Sequence, residues 1–142
     1  MARAVFELQR RSYAVEAEII GSRELPPLHE TLEDLRSSGE DFHGCFIEGT
    51  LAGAISTKKS GDILDIHRLF VGLEYFRRGI ASSMLRHVEG AEEWEKITVS
   101  TGAENAPAKG LYLSRGFVEV GEDEVVPGLF VARFEKEGRR RV

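Results

Sequence analysis

Two rhythms of apolar residues alternate along this chain. From Ala4 to Ile20 the positions Val5, Leu8, Val15 and Ile19 recur at helical spacing with Glu and Arg between them, and Gly21 closes the run. ELPPLHETLEDLRSSGE restarts after a proline pair; Leu28, Leu32 and Leu35 share one helical face, and Gly39 ends it. The period then changes. DFHGCFIEGTLAGAISTKKSG reads as two short strands joined near Glu48-Gly49-Thr50, with a turn at Ser60-Gly61, and a third strand spans Ile63 to Val71. Helical spacing returns from Gly79 to Glu89 through Ile80, Met84, Leu85 and Val88. KITVST (96–101) is a β-branched strand. ENAPAKGLYLSRGF opens a helix at Asn105 and Pro107 and stops it at Gly116. Two last strands, Phe117–Val120 and Leu129–Glu135, are expected to flank an acidic loop, GEDEVVPG. The order ααβββαβαββ is one α/β domain over residues 1–142, with no repeat and no linker, and 136–142 reads as a solvated tail.

Composition removes several classes. The 142 residues suffice for one domain with a core. A net charge of −5 argues against a general nucleic-acid surface, which needs clustered positive charge. The single cysteine, Cys45, excludes an internal disulfide, and His43 with Cys45 supplies only two ligands, so no metal is expected. No apolar run approaches the roughly 18 residues of a membrane span, and no signal-peptide pattern opens the chain. The expectation is a cytoplasmic protein with neither a membrane nor a nucleic-acid partner.

The chemistry concentrates in FRRGIASS (76–83), which joins a strand to a helix. The first N–H groups of a helix have no intrahelical partner and lie at the positive end of its dipole. Gly79 and Ala81 leave the backbone bare there, while Arg77 and Arg78 add charge at the rim. Phosphate or pyrophosphate is the natural guest. A solvated turn before a helix has the same residues. The sequence has no G-x-x-x-x-G-K-[ST], no G-x-G-x-x-G after a first strand and no G-x-S-x-G.

The neighbours of that loop decide the matter. Val71-Gly72-Leu73-Glu74-Tyr75-Phe76-Arg77-Arg78-Gly79-Ile80-Ala81 resembles motif A of the GNAT superfamily, V-x-P-x-x-[QR]-x-x-G-x-[GA]; these are acetyl-CoA-dependent N-acyltransferases. Asn105-Ala106-Pro107-Ala108 with Leu111-Tyr112-Leu113-Ser114-Arg115-Gly116-Phe117 resembles motif B, N-x-x-A-x-x-L-Y-x-x-x-G-F. Leu73 stands where the family has proline and Phe76 where it has Gln or Arg, so Arg77 and Arg78 must supply any side-chain charge.

The resemblance implies a GNAT-like α/β (α+β) fold: a central mixed, mostly antiparallel sheet flanked by about four helices. The family's first strand is expected to be absent, because helical spacing begins at Ala4, leaving Phe42–Glu48 as an open edge and a homodimer plausible. It implies acetyl-CoA as cosubstrate. The pantetheine arm would pair with the main chain of Leu69, Phe70 and Val71, and the pyrophosphate would rest on N–H groups of Arg77, Arg78, Gly79, Ile80, Ala81 and Ser82. Asn105 would bond the cosubstrate from the other wall, and Ala108 would leave it room. Each also has a plain reading, Leu69 and Val71 as core and Asn105 as a helix cap.

The implied reaction is attack of a small-molecule or peptide amine on the thioester. An amine of pKa about 10.4 is neutral in about one molecule in 2,500 at pH 7, so a base or a water relay helps. His67 and Asp65 are the candidates, two and four residues before Leu69 on one strand and expected to share its parity with Leu69 and Val71. Tyr112 sits where related enzymes place the acid for the leaving thiolate; a core tyrosine is the alternative. Acceptor recognition is expected at Ser22–Leu28 and in the GEDEVVPG loop, whose Glu122, Asp123 and Glu124 would suit a cation. The competing reading is a non-catalytic acyl-CoA-binding or sensor module on the same fold.

Overall fold

The computed structural model describes residues 2–20, 31–91 and 93–138, with only the backbone of 13–20 and 73. Its centre is a six-stranded sheet of order β1-β2-β3-β4-β6-β5. The strands are β1 (Asp41–Ile47), β2 (Thr50–Ser60), β3 (Ile63–Val71), β4 (Lys96–Gly102), β5 (Val118–Val126) and β6 (Leu129–Glu137). All neighbours are antiparallel except β3 and β4. The helices are α1 (Ala2–Ile20), α2 (Leu32–Arg36), α3 (Ile80–Ala91) and α4 (Ala106–Ser114), giving the expected order ααβββαβαββ.

Local chemistry sets several boundaries. The β1–β2 turn is Glu48-Gly49 with φ of 50° and 81°, and two positive φ values make the primed turn that matches strand twist. Thr31 and Asp34 cap α2 reciprocally: the Asp34 N–H donates to Thr31 Oγ1 (3.1 Å) and the Thr31 N–H to Asp34 Oδ2 (3.0 Å). That box starts α2 at Leu32; Leu28, expected in the same helix, lies outside the described residues.

Each sheet face has its own core. On one, α3 buries Ile80, Met84, Leu85 and Val88 against Leu64, Ile66, Ile97 and Phe134. Full burial of such side chains is worth about 1.5–3 kcal/mol each. On the other, Val5 and Leu8 of α1 and Leu35 of α2 meet Ala54 and Phe70. β1 pairs only with β2 among the described residues, so it is the expected open edge.

The C-terminal third departs from expectation. GEDEVV continues β5, and Pro127-Gly128 alone makes the turn. An edge strand tolerates charge on both faces, and bulges near Gly121 and Val126 adjust its register. Two of the three acidic side chains have partners: Asp123 Oδ2 accepts from Arg133 (2.6 Å) and Glu124 Oε2 from the Gly128 N–H (3.1 Å). The tail also begins later than expected. Lys136 and Glu137 complete β6, and Lys136 Nζ reaches Glu89 Oε1 on α3 (2.6 Å).

A buried polar network ties α1 to the sheet. Arg68 donates through Nε and an Nη to the two Glu40 oxygens (2.7 and 2.9 Å), and its other Nη donates to Gln9 Oε1 (2.7 Å). The Ser56 hydroxyl donates to Glu40 Oε1 (2.6 Å), and Arg68 lies over the Phe42 ring. Burial pushes the Glu40 carboxyl up, but bonds from Arg68 and Ser56, with the charges of Arg68 and His67, outweigh it and hold its pKa below the usual 4.5. A folded-state value below the unfolded one stabilises fully above about pH 4.5, and that contribution fades as pH falls through the lowered value. Glu40→Gln therefore costs on the order of 3 kcal/mol at pH 7, by stranding the Arg68 charge. It should also flatten the acid limb of denaturant-midpoint against pH; a variant limb parallel to the parent's would refute this account.

Candidate functional site

The parallel ladder between β3 and β4 is short. It runs from Ile63↔Lys96 to Ile66↔Val99 and stops, although β3 continues to Val71 and β4 to Gly102. Leu69, Phe70 and Val71 stay paired with β2 through Ile55, Ala54 and Gly53. The ladder with β4 does not reach them, so the two strands part as a V. One cause is visible in β3. Ser56 pairs with Arg68 and Thr57 with Ile66, which leaves His67 as an extra residue, a β-bulge where the ladder ends. Bulges bend a strand and raise its twist, turning β3 away from β4.

The bulge also corrects the expected parity. Leu64 and Ile66 face the α3 side, and after the extra residue Leu69 and Val71 resume that face. Arg68 and Phe70 face α1. Asp65 and His67 thus lie on the face opposite Leu69 and Val71, at the closed end of the V. His67 Nε2 is 2.9 Å from Asp65 Oδ2, and its Nδ1 is 3.7 Å from Glu40 Oε2. The Thr98 hydroxyl of β4 donates to Asp65 Oδ1 (2.5 Å). The side chains of His67 and Asp65 are 35% and 47% exposed, so this face is reachable; that of Glu40 is 7% exposed.

The C-terminal end of β3 leads into a 3-10 turn, Leu73–Tyr75, and then the loop before α3. Arg77 has φ 64° and Gly79 φ 73°, with Arg78 between them. Alternation of left-handed with ordinary residues turns successive N–H groups into one concavity, an anion nest. Arg77 holds that conformation without being glycine, a cost of about 1–2 kcal/mol. The first bond of α3 runs from the Ser83 N–H to the Gly79 carbonyl (3.0 Å), leaving the N–H groups of Ile80, Ala81 and Ser82 without intrahelical partners. Gly79 faces open space, and the Arg78 guanidinium lies 5.5 Å from the Tyr75 ring centroid. The Val71 carbonyl accepts from Ser12 of α1 (3.2 Å).

The acetyltransferase (GNAT) domain model matches residues 17–137. The chain belongs to the GNAT acetyltransferase family. It is 36% identical over 143 residues to the UPF0157 protein YqkA of Bacillus subtilis (strain 168), covering all of this chain but 42% of that protein. Similar solved structures include the ribosomal-protein-S18-alanine N-acetyltransferase of Escherichia coli, with TM-score 0.77 and 17% identity over 96% of this chain and 86% of that one. Another is the PaiA N-acetyltransferase of Thermoplasma acidophilum in complex with coenzyme A, with TM-score 0.72 and 20% identity over 96% and 92%. At these identities the likeness is one of fold.

In this GNAT chain the motif B residues have structural duties. Asn105 is 9% exposed and caps α4, its Oδ1 accepting the Ala108 N–H (3.2 Å). Tyr112 is 4% exposed, its ring edge-on to Phe117 and tilted against Phe134. Ala108 packs on the α3-side core. Of the acceptor elements, Ser22–Leu28 falls outside the described residues. His43 meets His87 of α3 (Nδ1 to Nε2, 3.1 Å). Sequence reasoning missed Glu40, Arg68 and Thr98. A His-Arg pair inside the apolar run ILDIHRLFV was the available signal, since charge in a central strand needs buried partners.

Gly79→Ala should cost about 1 kcal/mol from backbone strain alone, because nothing lies within 4 Å of the added carbon. Gly79→Asn should cost less, as Asn tolerates the left-handed region. Urea midpoints of the two variants check the order, and equal losses would mean the strain is absent.

Proposed function

We propose that this chain is an acyl-CoA N-acyltransferase that moves an acetyl group from acetyl-CoA to the primary amine of a small molecule or peptide. One observation carries the reading: β3 runs on past the end of its ladder with β4, through Leu69 to Val71, and into a main-chain nest at Arg77–Ser82. An extended amide-bearing arm suits the first, and a pyrophosphate suits the second. Their continuity suits a molecule that has both, as coenzyme A does. The nest is built of N–H groups, so Leu73 and Phe76 in place of the motif residues leave it intact.

The chemistry follows from what surrounds the V. The amine nitrogen attacks the thioester carbonyl; a C–N bond forms and the C–S bond breaks. The amine proton goes to a base at the closed end of the V, where His67 and Asp65 are the candidates. The thiolate takes a proton from an acid, for which Tyr112 is the candidate, and the phenol recovers it from solvent. Asn105 and Ala108 line the α4 side. The β1 edge is the surface through which a second copy would pair.

A second reading has its own support. Burial of Tyr112 and the capping role of Asn105 give both residues structural reasons to be present, as in a non-catalytic acyl-CoA-binding module. Release of free thiol from acetyl-CoA across a panel of amines separates the two.

Acetyl-CoA at 100 times its Kd should stabilise the fold by about 2.7 kcal/mol through mass action, read as a rise in Tm. Gly79→Glu sets a carboxylate at the nest and should erase that rise while the apo protein still melts cooperatively. A rise that survives would put the pyrophosphate elsewhere.

Tyr112→Phe keeps the ring and its contacts with Phe117 and Phe134 but deletes the donor. Acetyl-CoA affinity should hold while kcat falls by roughly 10²–10⁴, most at neutral pH and less near the thiol's own pKa of about 8.5. A normal single-turnover rate would reduce Tyr112 to a core residue.

A further inference from the structure

Asp65 and His67 were both candidates for the base on sequence, and their geometry gives them different parts. A carboxylate only accepts hydrogen bonds. The 2.9 Å contact between His67 Nε2 and Asp65 Oδ2 therefore needs the ring proton on Nε2. In neutral His67 the lone pair is then on Nδ1. Asp65 is in turn fixed by the Thr98 hydroxyl on its other oxygen. Thr98 and Asp65 are partners in the ladder one step before it ends, so the orienting carboxylate is anchored across both arms of the V. We propose that Asp65 is a positioning residue holding His67 as the Nε2–H tautomer, and that His67 Nδ1 is the nitrogen that takes the acceptor amine's proton. This rests on the acyltransferase reading above.

The surroundings of Nδ1 favour that assignment. Its nearest charged group is Glu40 Oε2 at 3.7 Å, too far for a hydrogen bond. A lone pair facing a carboxylate is mildly repelled. A proton arriving on Nδ1 turns that contact into attraction, and the imidazolium then lies between two carboxylates. Glu40 cannot swing away, because Arg68 and Ser56 hold it. Around this cluster, Arg68 is committed to Glu40 and Gln9, Lys58 is the register partner of Asp65 on β2, and Glu135, paired with Lys96, is the register partner of Thr98 on β6. As the extra residue of β3, His67 is outside the regular pairing, and its side chain is one-third exposed.

The test uses the full chain labelled with ¹⁵N-histidine, which has four histidines; His67→Gln assigns the signal. Long-range ¹H–¹⁵N correlation at a pH where His67 is neutral should show it protonated on Nε2. Asp65→Asn replaces the acceptor with a side chain that can donate, and should move the population toward Nδ1–H. In the same variant kcat for amine acetylation should fall by roughly 10²–10⁴ with the KM for acetyl-CoA unchanged. The loss should concentrate at neutral pH and ease toward the amine's own pKa, as in His67→Gln. Thr98→Val, which only loosens Asp65, should give a smaller shift of both readouts in the same direction. A wild-type His67 carrying its proton on Nδ1, or a tautomer indifferent to Asp65→Asn, overturns the proposal whatever the activity. So does a tautomer that switches while kcat stays at the parent value, and in that case the acyltransferase reading survives. A wild type that binds acetyl-CoA but acetylates no amine overturns that reading, and the base assignment with it.

Discussion

The end of the β3–β4 ladder at Ile66↔Val99 is the constraint on which the rest of this molecule depends. Two parallel strands that could have stayed paired for three more residues come apart, and main chain in mid-sheet is left to find partners elsewhere. Sheets avoid this, because an unpaired N–H or C=O that is also dry costs free energy comparable to a lost hydrogen bond. Ser12 meets the demand at one point, donating to the Val71 carbonyl. The segment past the ladder is continuous with the nest that opens α3. The bulge at His67 makes the separation local: β3 keeps its β2 pairing on both sides of the extra residue.

That single inserted residue also distributes chemistry between the sheet faces. It keeps Leu64, Ile66, Leu69 and Val71 on the α3 side as an uninterrupted apolar row. It delivers Asp65, His67 and Arg68 together to the α1 side, where strict alternation would have split them. Three polar side chains on one face of a central strand are expensive unless mutually satisfied. The Glu40–Arg68–Gln9–Ser56 bonds supply that satisfaction. Stability of the α1 face and placement of the candidate base are thereby one arrangement. A change at Glu40 or Arg68 would be felt in both, so activity loss there cannot by itself be read as chemistry.

Period and punctuation were enough to recover the element order. Helical spacing in α1 and α3, the β-branched run of β4 and the primed turn at Glu48-Gly49 all lie where their residues put them. Local signals failed where tertiary context decides. The six residues GEDEVV carry turn-like acidity, yet they extend β5 because an edge strand has water on one side and Arg133 to pair with Asp123. The bulge had no local signature either: ILDIHRLFV alternates well enough to pass as a regular strand, and only pairing with β2 shows that one residue is supernumerary. Parity inferred across it was therefore wrong, although the residues singled out, Asp65 and His67, do meet. Asn105 and Tyr112 were legible as positions, but what their side chains do in the folded chain was not, since capping and core packing use the same residue types as binding and proton transfer.

The nest explains why the motif tolerated its own departures. A site that binds through side chains is lost with one substitution, whereas one that binds through main-chain N–H groups depends on backbone conformation. Here that conformation needs two left-handed residues, and only one is glycine. Arg77 is held there at a cost that Gly79 avoids, so the neighbouring fold must over-determine it. The 3-10 turn at Leu73–Tyr75, with the Tyr75 N–H bonded to the Gly72 carbonyl (2.9 Å), fixes the chain entering the loop. The first turn of α3, buried through Ile80, fixes the chain leaving it. With both ends fixed, few backbone paths connect them. An arginine at position 77 then does what glycine would do at less strain, and it adds a cationic residue to the nest.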